Sequence, residues 1–328
     1  MKYKVVTLGG GTGMSSLLKG LKKFPFDISS IVSVCDDGKS TGRLREEFGI
    51  PAVGDVRKVL VALSEVEPLV EELFDYRFSN GNGLSGHTTG NLLLTAATNI
   101  CGNMSDGIEA LSKILNLNGK VIPLTEENVH LIAKTKDGLI IEGEHNITQA
   151  KKVIKSVYYK ENPKVNEKAL NAIKEADLII LSMGSLYTSV IPNLLIKELI
   201  TEIDKSKAPI MYSCNMMTQP GETDNFKVSN HIKLLNKYLG KKKISVVIAN
   251  NKIIDKEIKN RYESLEQKDQ VLLDKNNLKN IEIIEEDFFI IENNLIRHDS
   301  IKLGLSIFSY MLEKERNQLW FLSFIITF

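Results

Sequence analysis

This chain of 328 residues is short of several things, and each shortage excludes something. It has only 3 cysteines, Cys35, Cys101 and Cys214, far apart and without the close spacings that hold metals. An odd, sparse set gives no disulfide framework, so the expectation is a reducing compartment, the cytoplasm. The thiols then serve as buried hydrophobes rather than nucleophiles. Neither sign of charge is in excess: 42 Lys plus Arg stand against 41 Asp plus Glu, a net charge of +1. That balance leaves no electrostatic footprint for nucleic acid, and the Lys241–Lys243 run reads as a solvated helix end. No apolar run reaches the roughly 20 residues a bilayer-spanning helix needs. The apolar tail from Leu319 to Phe328 is expected to pack on the core or a partner, or to rest on a surface. Residues 3–8 lead straight into a strand, which leaves no signal peptide. Internal repeats, low-complexity tracts and linkers are missing too.

What the chain does have is a strand that breaks into glycines. Lys4-Val5-Val6-Thr7-Leu8 runs into Gly9-Gly10-Gly11-Thr12-Gly13, and Met14, Leu17, Leu18 and Leu21 follow at helical spacing. Amides at a helix start are unpaired, carry the positive end of the dipole, and meet an anion closely when no Cβ intervenes. Gly10, Gly11, Thr12 and Gly13 are therefore a candidate phosphate cradle, with a structural tight turn as the alternative. The strict dinucleotide fingerprint fails, because its sixth position falls on Met14 or Ser16. The run Gly38-Lys39-Ser40-Thr41 imitates the end of a P-loop, but Ser33 stands where the first glycine belongs.

Strand-like and helical periods then alternate along the chain. The reading gives an apolar helical stretch over 56–73, a polar glycine-rich segment over 79–90, and a helix from Asn91. Residues 129–147 alternate as a hairpin about Lys136-Asp137-Gly138, inside an excursion spanning about 121–150. The alternation resumes with helix 166–176, strand 177–181, helix 193–204, strand 209–213, helix 226–239, strand 244–249 and helix 255–262. A second hairpin over 281–296 precedes a last helix after Arg297-His298-Asp299, which Ser300 would cap. Apolar strands joined by helices define an α/β, Rossmann-like three-layer fold with a mostly parallel sheet. The domain reading is a single unit over 1–315 with an apolar tail over 316–328.

Such sheets bind ligands at the carboxyl ends of their strands, so the loops there are the candidates. Four are rich in small polar residues: Asp36–Arg43, Gly86–Asn91, Gly184–Ser189 and Asn215–Thr223. They contribute Lys39, Ser40, Asn91, Gly184, Ser185, Leu186, Tyr187, Asn215 and Thr218 to a nucleotide-sized pocket. Asp36 and Asp37, with Asp55, are the candidate catalytic residues and can hold a divalent cation such as Mg2+. Equally, they can cap a helix or pair with Arg43 or Arg45. His87 serves as an acid or base, or as a hydrogen-bonded structural side chain. Tyr262 can stack on a base and Arg297 can clamp a diphosphate; each can equally be a packing or surface residue.

Together the segments GGGTG, DDGKSTGRLREEFGI, GDVRKVLVAL, GHTTGNLLLTA, GSLYTSVIPNLL, NMMTQPGETDNF and RHDSIKL, in that order over residues 5–305, resemble one family. They are similar to the YvcK-type gluconeogenesis factors, relatives of the 2-phospho-L-lactate transferase CofD. The resemblance implies a cytoplasmic protein that binds a UDP-sugar, notably UDP-N-acetylglucosamine or UDP-glucose. It also implies a role in cell shape and envelope growth on gluconeogenic carbon sources. Tyr262 and Arg297 fall on that family's base- and sugar-binding positions, 9–13 and 184–189 on its phosphate loops, and Asp36 and Asp37 on its acidic loop. This chain departs from the pattern at Lys39, at Ile50-Pro51-Ala52-Val53 and at Met183. The first expectation is a non-catalytic nucleotide-sugar sensor with a protein partner in envelope synthesis or carbon metabolism. A metal-dependent CofD-like transferase and a nicotinamide-binding protein are the rivals, and a homo-oligomer fits any of them.

Overall fold

The computed structural model describes residues 2–292 and 295–326. Strand β1 (Tyr3–Gly9) leads into helix α1 (Gly11–Leu21), and β2 (Phe26–Val32) is followed by α2 (Lys39–Phe48) and α3 (Gly54–Leu63). Next come α4 (Pro68–Asp75), α5 (Thr89–Cys101), α6 (Met104–Ile114) and β3 (Lys120–Pro123). The excursion holds β4 (Leu131–Thr135), β5 (Ile140–Glu142), α7 (Glu144–Ala150) and β6 (Ile154–Tyr159). The α/β alternation resumes with α8 (Glu167–Glu175), β7 (Leu178–Leu181), α9 (Lys197–Lys205), β8 (Ile210–Ser213), α10 (Val228–Tyr238) and β9 (Val246–Asn250). It closes with α11 (Lys256–Arg261), β10 (Glu282–Glu286), the pair β11 (Phe289–Glu292) and β12 (Leu295–His298), and α12 (Ser300–Ile326).

One seven-stranded sheet, ordered β10-β9-β8-β7-β1-β2-β3, organises the rest, and every pairing in it is parallel. Parallel strands are covered on both faces, which is why β1, β7, β8 and β9 are continuous apolar runs. Val5, Leu8, Ile28, Ile31, Leu178–Leu181, Ile210, Met211 and Val247 are all at or near zero exposure. Each such side chain contributes about 1.5–3 kcal/mol relative to an exposed one. Helix α1 packs against both α3 and α12, while α6 and α8 lie over the β1–β3 half of the sheet.

Several boundaries differ from the sequence reading. The helical stretch over 56–73 is two helices, α3 and α4, because Pro68 lacks the N–H that a continuous helix needs and starts the second one instead. The loop expected over 36–43 is already helical from Lys39. Residues 120–123 belong to the main sheet, so the excursion starts later, and its hairpin gains a third strand, β6, against β4. The hairpin expected over 281–296 divides: β10 joins the main sheet at its edge, and only β11–β12 is an antiparallel pair; residues 293–294 lie outside the described set. A charged, half-buried strand such as β10 suits an edge, where it discourages pairing with another chain. The cap of the last helix is Asp299, whose carboxylate accepts the Lys302 N–H at 3.0 Å, and not Ser300. The α12 backbone continues to Ile326, while the side chains of the predicted apolar tail from residue 318 onward lie outside the described set.

Gly20 sits where α1 meets the start of α12, and a Cβ there would overlap the Ser300 carbonyl. The Gly20→Ala variant is therefore expected to lose about 1–3 kcal/mol from overpacking. Chemical denaturation would show this as a lower midpoint with an unchanged slope.

Candidate functional site

The strand order reverses between β1 and β7, since β2 and β3 extend one way and β8, β9 and β10 the other. Connections leaving in opposite directions open a crevice at the carboxyl ends of the two strands. A cleft of about 540 Å³ lies there, lined by residues from five parts of the chain.

The first wall is the turn Gly10–Gly13 after β1. Gly11 has φ +69°, a left-handed conformation that glycine adopts without strain. Gly13 packs so closely on Met183 that a Cβ would overlap that residue's carbonyl. No side chain caps α1, so its first amides remain available to an anion.

The second wall follows β7: Met183, Gly184, Ser185, Thr188 and Ser189 line the cleft. The chain there makes a wide π-helical turn over Leu186–Val190, whose apolar side chains sink into the core. Asn193 ties the two turns together, donating from Nδ2 to the Gly9 carbonyl at 3.1 Å and to the Ser189 carbonyl at 2.9 Å. The third wall, Asn215–Gln219, follows β8. Asn215 grips the second wall with both ends of its amide: Oδ1 accepts the Gly184 N–H at 3.2 Å, and Nδ2 donates to the Gly184 carbonyl at 2.6 Å.

The fourth wall is a lobe with a small apolar cluster of its own, formed by Met216, Ile254, Tyr262 and Ile296. Tyr262 is buried; its hydroxyl accepts the Ile296 N–H at 2.8 Å, and the Arg261 guanidinium lies 5.5 Å from its ring centre. Arg297 is exposed on β12 and lines the cleft, without an ion-pair partner among the described residues. His298 donates from Nε2 to the Cys214 carbonyl at 3.3 Å, and burial lowers its pKa to about 4, so the ring is neutral at pH 7. The fifth wall is Glu144 and Thr148 on α7, brought in by the excursion.

The predicted site residues divide into two groups. Gly10, Gly11, Thr12, Gly13, Gly184, Ser185, Asn215, Thr218, Tyr262 and Arg297 all line this one cleft. Leu186 and Tyr187 are core residues of the π-turn. Ser40 and Asn91 belong to a buried network in which the Ser40 hydroxyl meets His87 Nδ1 at 3.0 Å and the Asn91 amide at 3.0 Å. Burial lowers the pKa of His87, which fits the structural role. Lys39 is exposed at the start of α2, outside the lining.

The aspartates do structural work. Asp36 accepts the Gly38 N–H at 2.9 Å and the Thr41 hydroxyl at 3.0 Å, which pins the turn leading into α2. Asp37 accepts the His145 N–H at 2.7 Å and so fixes the start of α7. Asp55 pairs with Lys58 at 2.9 Å and abuts Gly10; burial pushes its carboxyl up and Lys58 draws it back. Arg43 and Arg45 bind backbone carbonyls and Asn128, not these carboxylates. Among the described residues no three His, Cys, Asp or Glu side chains converge in a metal-holding group.

Sequence reading missed Glu144. It sits in a stretch that alternates like a strand, and nothing local marks it. Burial, then the charges of Asp36 and Asp55, push its pKa up to about 8, so it is a neutral acid at pH 7. Glu222 was also missed, although it belongs to the quoted segment NMMTQPGETDNF. A second cleft of about 570 Å³, lined by Lys4, Asp27, Glu109 and Lys168 among others, lies near the amino ends of β1–β3, away from these loops.

With this geometry in view, comparison with known proteins gives the class. The family described as 2-phospho-L-lactate transferase CofD matches residues 5–289, and the chain belongs to that family. Within it, the chain is 45% identical over 309 residues to a protein of Halalkalibacterium halodurans named gluconeogenesis factor, covering 93% of this chain and 96% of that one. It is also 45% identical over 306 residues to the gluconeogenesis factor of Bacillus subtilis, covering 92% and 96%. A crystal structure of a Bacillus halodurans protein superposes with a TM-score of 0.90 at 44% identity, covering 94% of this chain and 100% of that one. A second, described as a member of the UPF0052 family, gives the same score and identity. Among the described residues no helix is long and apolar enough to cross a membrane.

Asn215 can be tested directly. Aspartate has nearly the same shape but cannot donate to the Gly184 carbonyl, so Asn215→Asp should cost about 1 kcal/mol for the lost, partly buried hydrogen bond. Urea unfolding measures that loss, and an unchanged midpoint would contradict the grip.

Proposed function

We propose that the protein is a nucleotide-sugar-binding regulatory protein whose ligand is UDP-N-acetylglucosamine or UDP-glucose. The observation that carries this reading is the convergence, on one switch-point cleft, of a glycine turn at a helix start, a hydroxyl-rich turn, Tyr262 and Arg297. The diphosphate lies against the α1 amides and the 184–189 turn. Arg297 reaches the diphosphate or the sugar. Tyr262, whose hydroxyl is committed to Ile296, offers its ring to the uracil. Base stacking on an aromatic ring contributes about 1–3 kcal/mol, and a charge-assisted hydrogen bond about 1.5–3 kcal/mol. Ligand binding then alters contact with a partner in envelope synthesis or carbon flux, in keeping with the relatives' name.

A transferase is the second reading. It is favoured by the family description and by Glu144, a carboxyl that stays protonated in the cleft and can serve as a general acid. Calorimetric titration with UDP-N-acetylglucosamine, followed by analysis of the recovered ligand, separates the two. Ligand returned intact supports the sensor, whereas cleaved ligand supports the transferase. Arg297→Ala removes an exposed side chain, so the fold should survive while affinity falls about tenfold or more. Unchanged affinity would remove Arg297 from the site.

A further inference from the structure

Behind the second wall lies a carboxyl that does not line the cleft. Glu222 is 6% exposed. Its Oε2 accepts the Ser185 hydroxyl at 2.6 Å and the Tyr187 N–H at 3.4 Å. Its Oε1 is buried and has no partner among the described residues. Ser185 Oγ in turn accepts both the N–H and the hydroxyl of Thr188, at 3.1 and 2.8 Å. Ser185 and Thr188 both line the cleft.

A hydroxyl has one proton to give and two lone pairs to fill. When Glu222 is ionised, the Ser185 proton points inward to it, and the two Thr188 donors fill Ser185. Neither hydroxyl then has a proton for the cleft, so the rim shows a ligand only lone pairs. When Glu222 is protonated on Oε2, the acid donates to Ser185 Oγ, and the Thr188 N–H takes the remaining lone pair. The Ser185 and Thr188 protons are then released to the cleft side, where Glu144 is the carboxyl beside Thr188. No heavy atom has to move.

We propose that Glu222 is a positioning residue that sets the hydrogen-bond polarity of the 185–188 rim: its neutral form turns two hydroxyl donors toward anionic ligand oxygens, and its ionised form withdraws them. The inference rests on the diphosphate reading of the cleft. Burial raises the Glu222 pKa to about 7, with Ser185 and Tyr187 pulling it back, so the two forms exchange near neutrality. Among the described residues no cation pairs with its carboxylate. Tyr187 donates its hydroxyl to the Ile154 carbonyl, and the Tyr238 hydroxyl on α10 accepts the Val157 N–H. Asp224 accepts the Gly221 N–H. Lys151 crowds Gly221 with its backbone but sends Nζ to Gln267. The charged or titratable groups in the cleft are Glu144, Tyr262, Glu266, Lys268, Arg297 and His298. Of these, Glu144, at about 8, also titrates near neutrality.

The test is the affinity for UDP-N-acetylglucosamine, whose diphosphate diester binds no proton in this range, measured between roughly pH 6 and pH 9. The wild type, Glu222→Gln and Glu144→Gln are compared. Wild-type affinity should weaken as Glu222 ionises, approaching about tenfold per pH unit above its pKa. Glu144→Gln should keep the part of that slope centred near neutrality, and Glu222→Gln, held neutral, should lose it while still binding. The same slope in Glu222→Gln overturns the inference, as does loss of its binding at every pH in a folded protein. A wild type that binds equally at all pH values overturns the inference alone; one that binds at none removes the diphosphate reading and the inference with it.

A second readout needs no ligand. The folded pKa of about 7 lies above the ordinary 4.5, so protonation favours the folded state. That stability is fully present below 4.5 and is lost as pH rises through about 7. Glu222→Gln should make this fall in unfolding free energy smaller, leaving the part due to Glu144, and a fall as large as the wild type's would contradict the assignment.

Discussion

The structure depends on one close approach, that of the turn after β1 to the turn after β7. Backbone meets backbone there: Gly13 lies against the Met183 carbonyl, with no room for a Cβ between them. Polar groups brought so close must be satisfied, and two asparagines from opposite sides do it. Asn193 bonds the Gly9 and Ser189 carbonyls, and Asn215 bonds both backbone groups of Gly184. Because strand order reverses at this point, the same contact that closes the sheet opens the cleft above it.

The cleft carries little positive charge for the diphosphate site proposed for it. Glu144 and Glu266 face it, Lys268 is paired with Glu266 at 2.6 Å, and Arg297 stands free of ion pairs among the described residues. On the proposed reading, attraction for the diphosphate falls to the α1 amides and dipole, to Arg297 and to hydroxyl donors. Keeping Glu144 protonated makes this workable. Burial first, and then the carboxyls of Asp36 and Asp55 beside it, raise the Glu144 pKa to about 8 and favour its neutral form at pH 7. The excursion matters for the same reason. Asp37 holds the start of α7, and α7 places Glu144 against the turn after β7.

Much of this was legible in the residues. The β1 turn, the parallel sheet and the post-strand loops follow from period and glycine placement, because those signals are local. The lining residues on the loops after β1, β7 and β8 were found because carboxyl-end loops are where such sheets bind. Other features were not local. Ser40 and Asn91 carry the same polar signal as the lining residues, yet they face inward to His87, and only packing decides that. Strand β10 has too few apolar residues to read as part of a buried sheet, because it lies at the edge. Glu144 and Glu222 gain their character from burial beside groups distant in sequence, which no spacing records.

The central claim is that the switch-point cleft holds a nucleotide sugar, and a crystal structure with UDP-N-acetylglucosamine bound tests it most directly. The account predicts the diphosphate against residues 10–13 and 184–189, with the uracil beside Tyr262 and Arg297 turned inward. Ligand bound instead in the opposite cleft between α6 and α8, with the switch-point cleft unchanged, would contradict it.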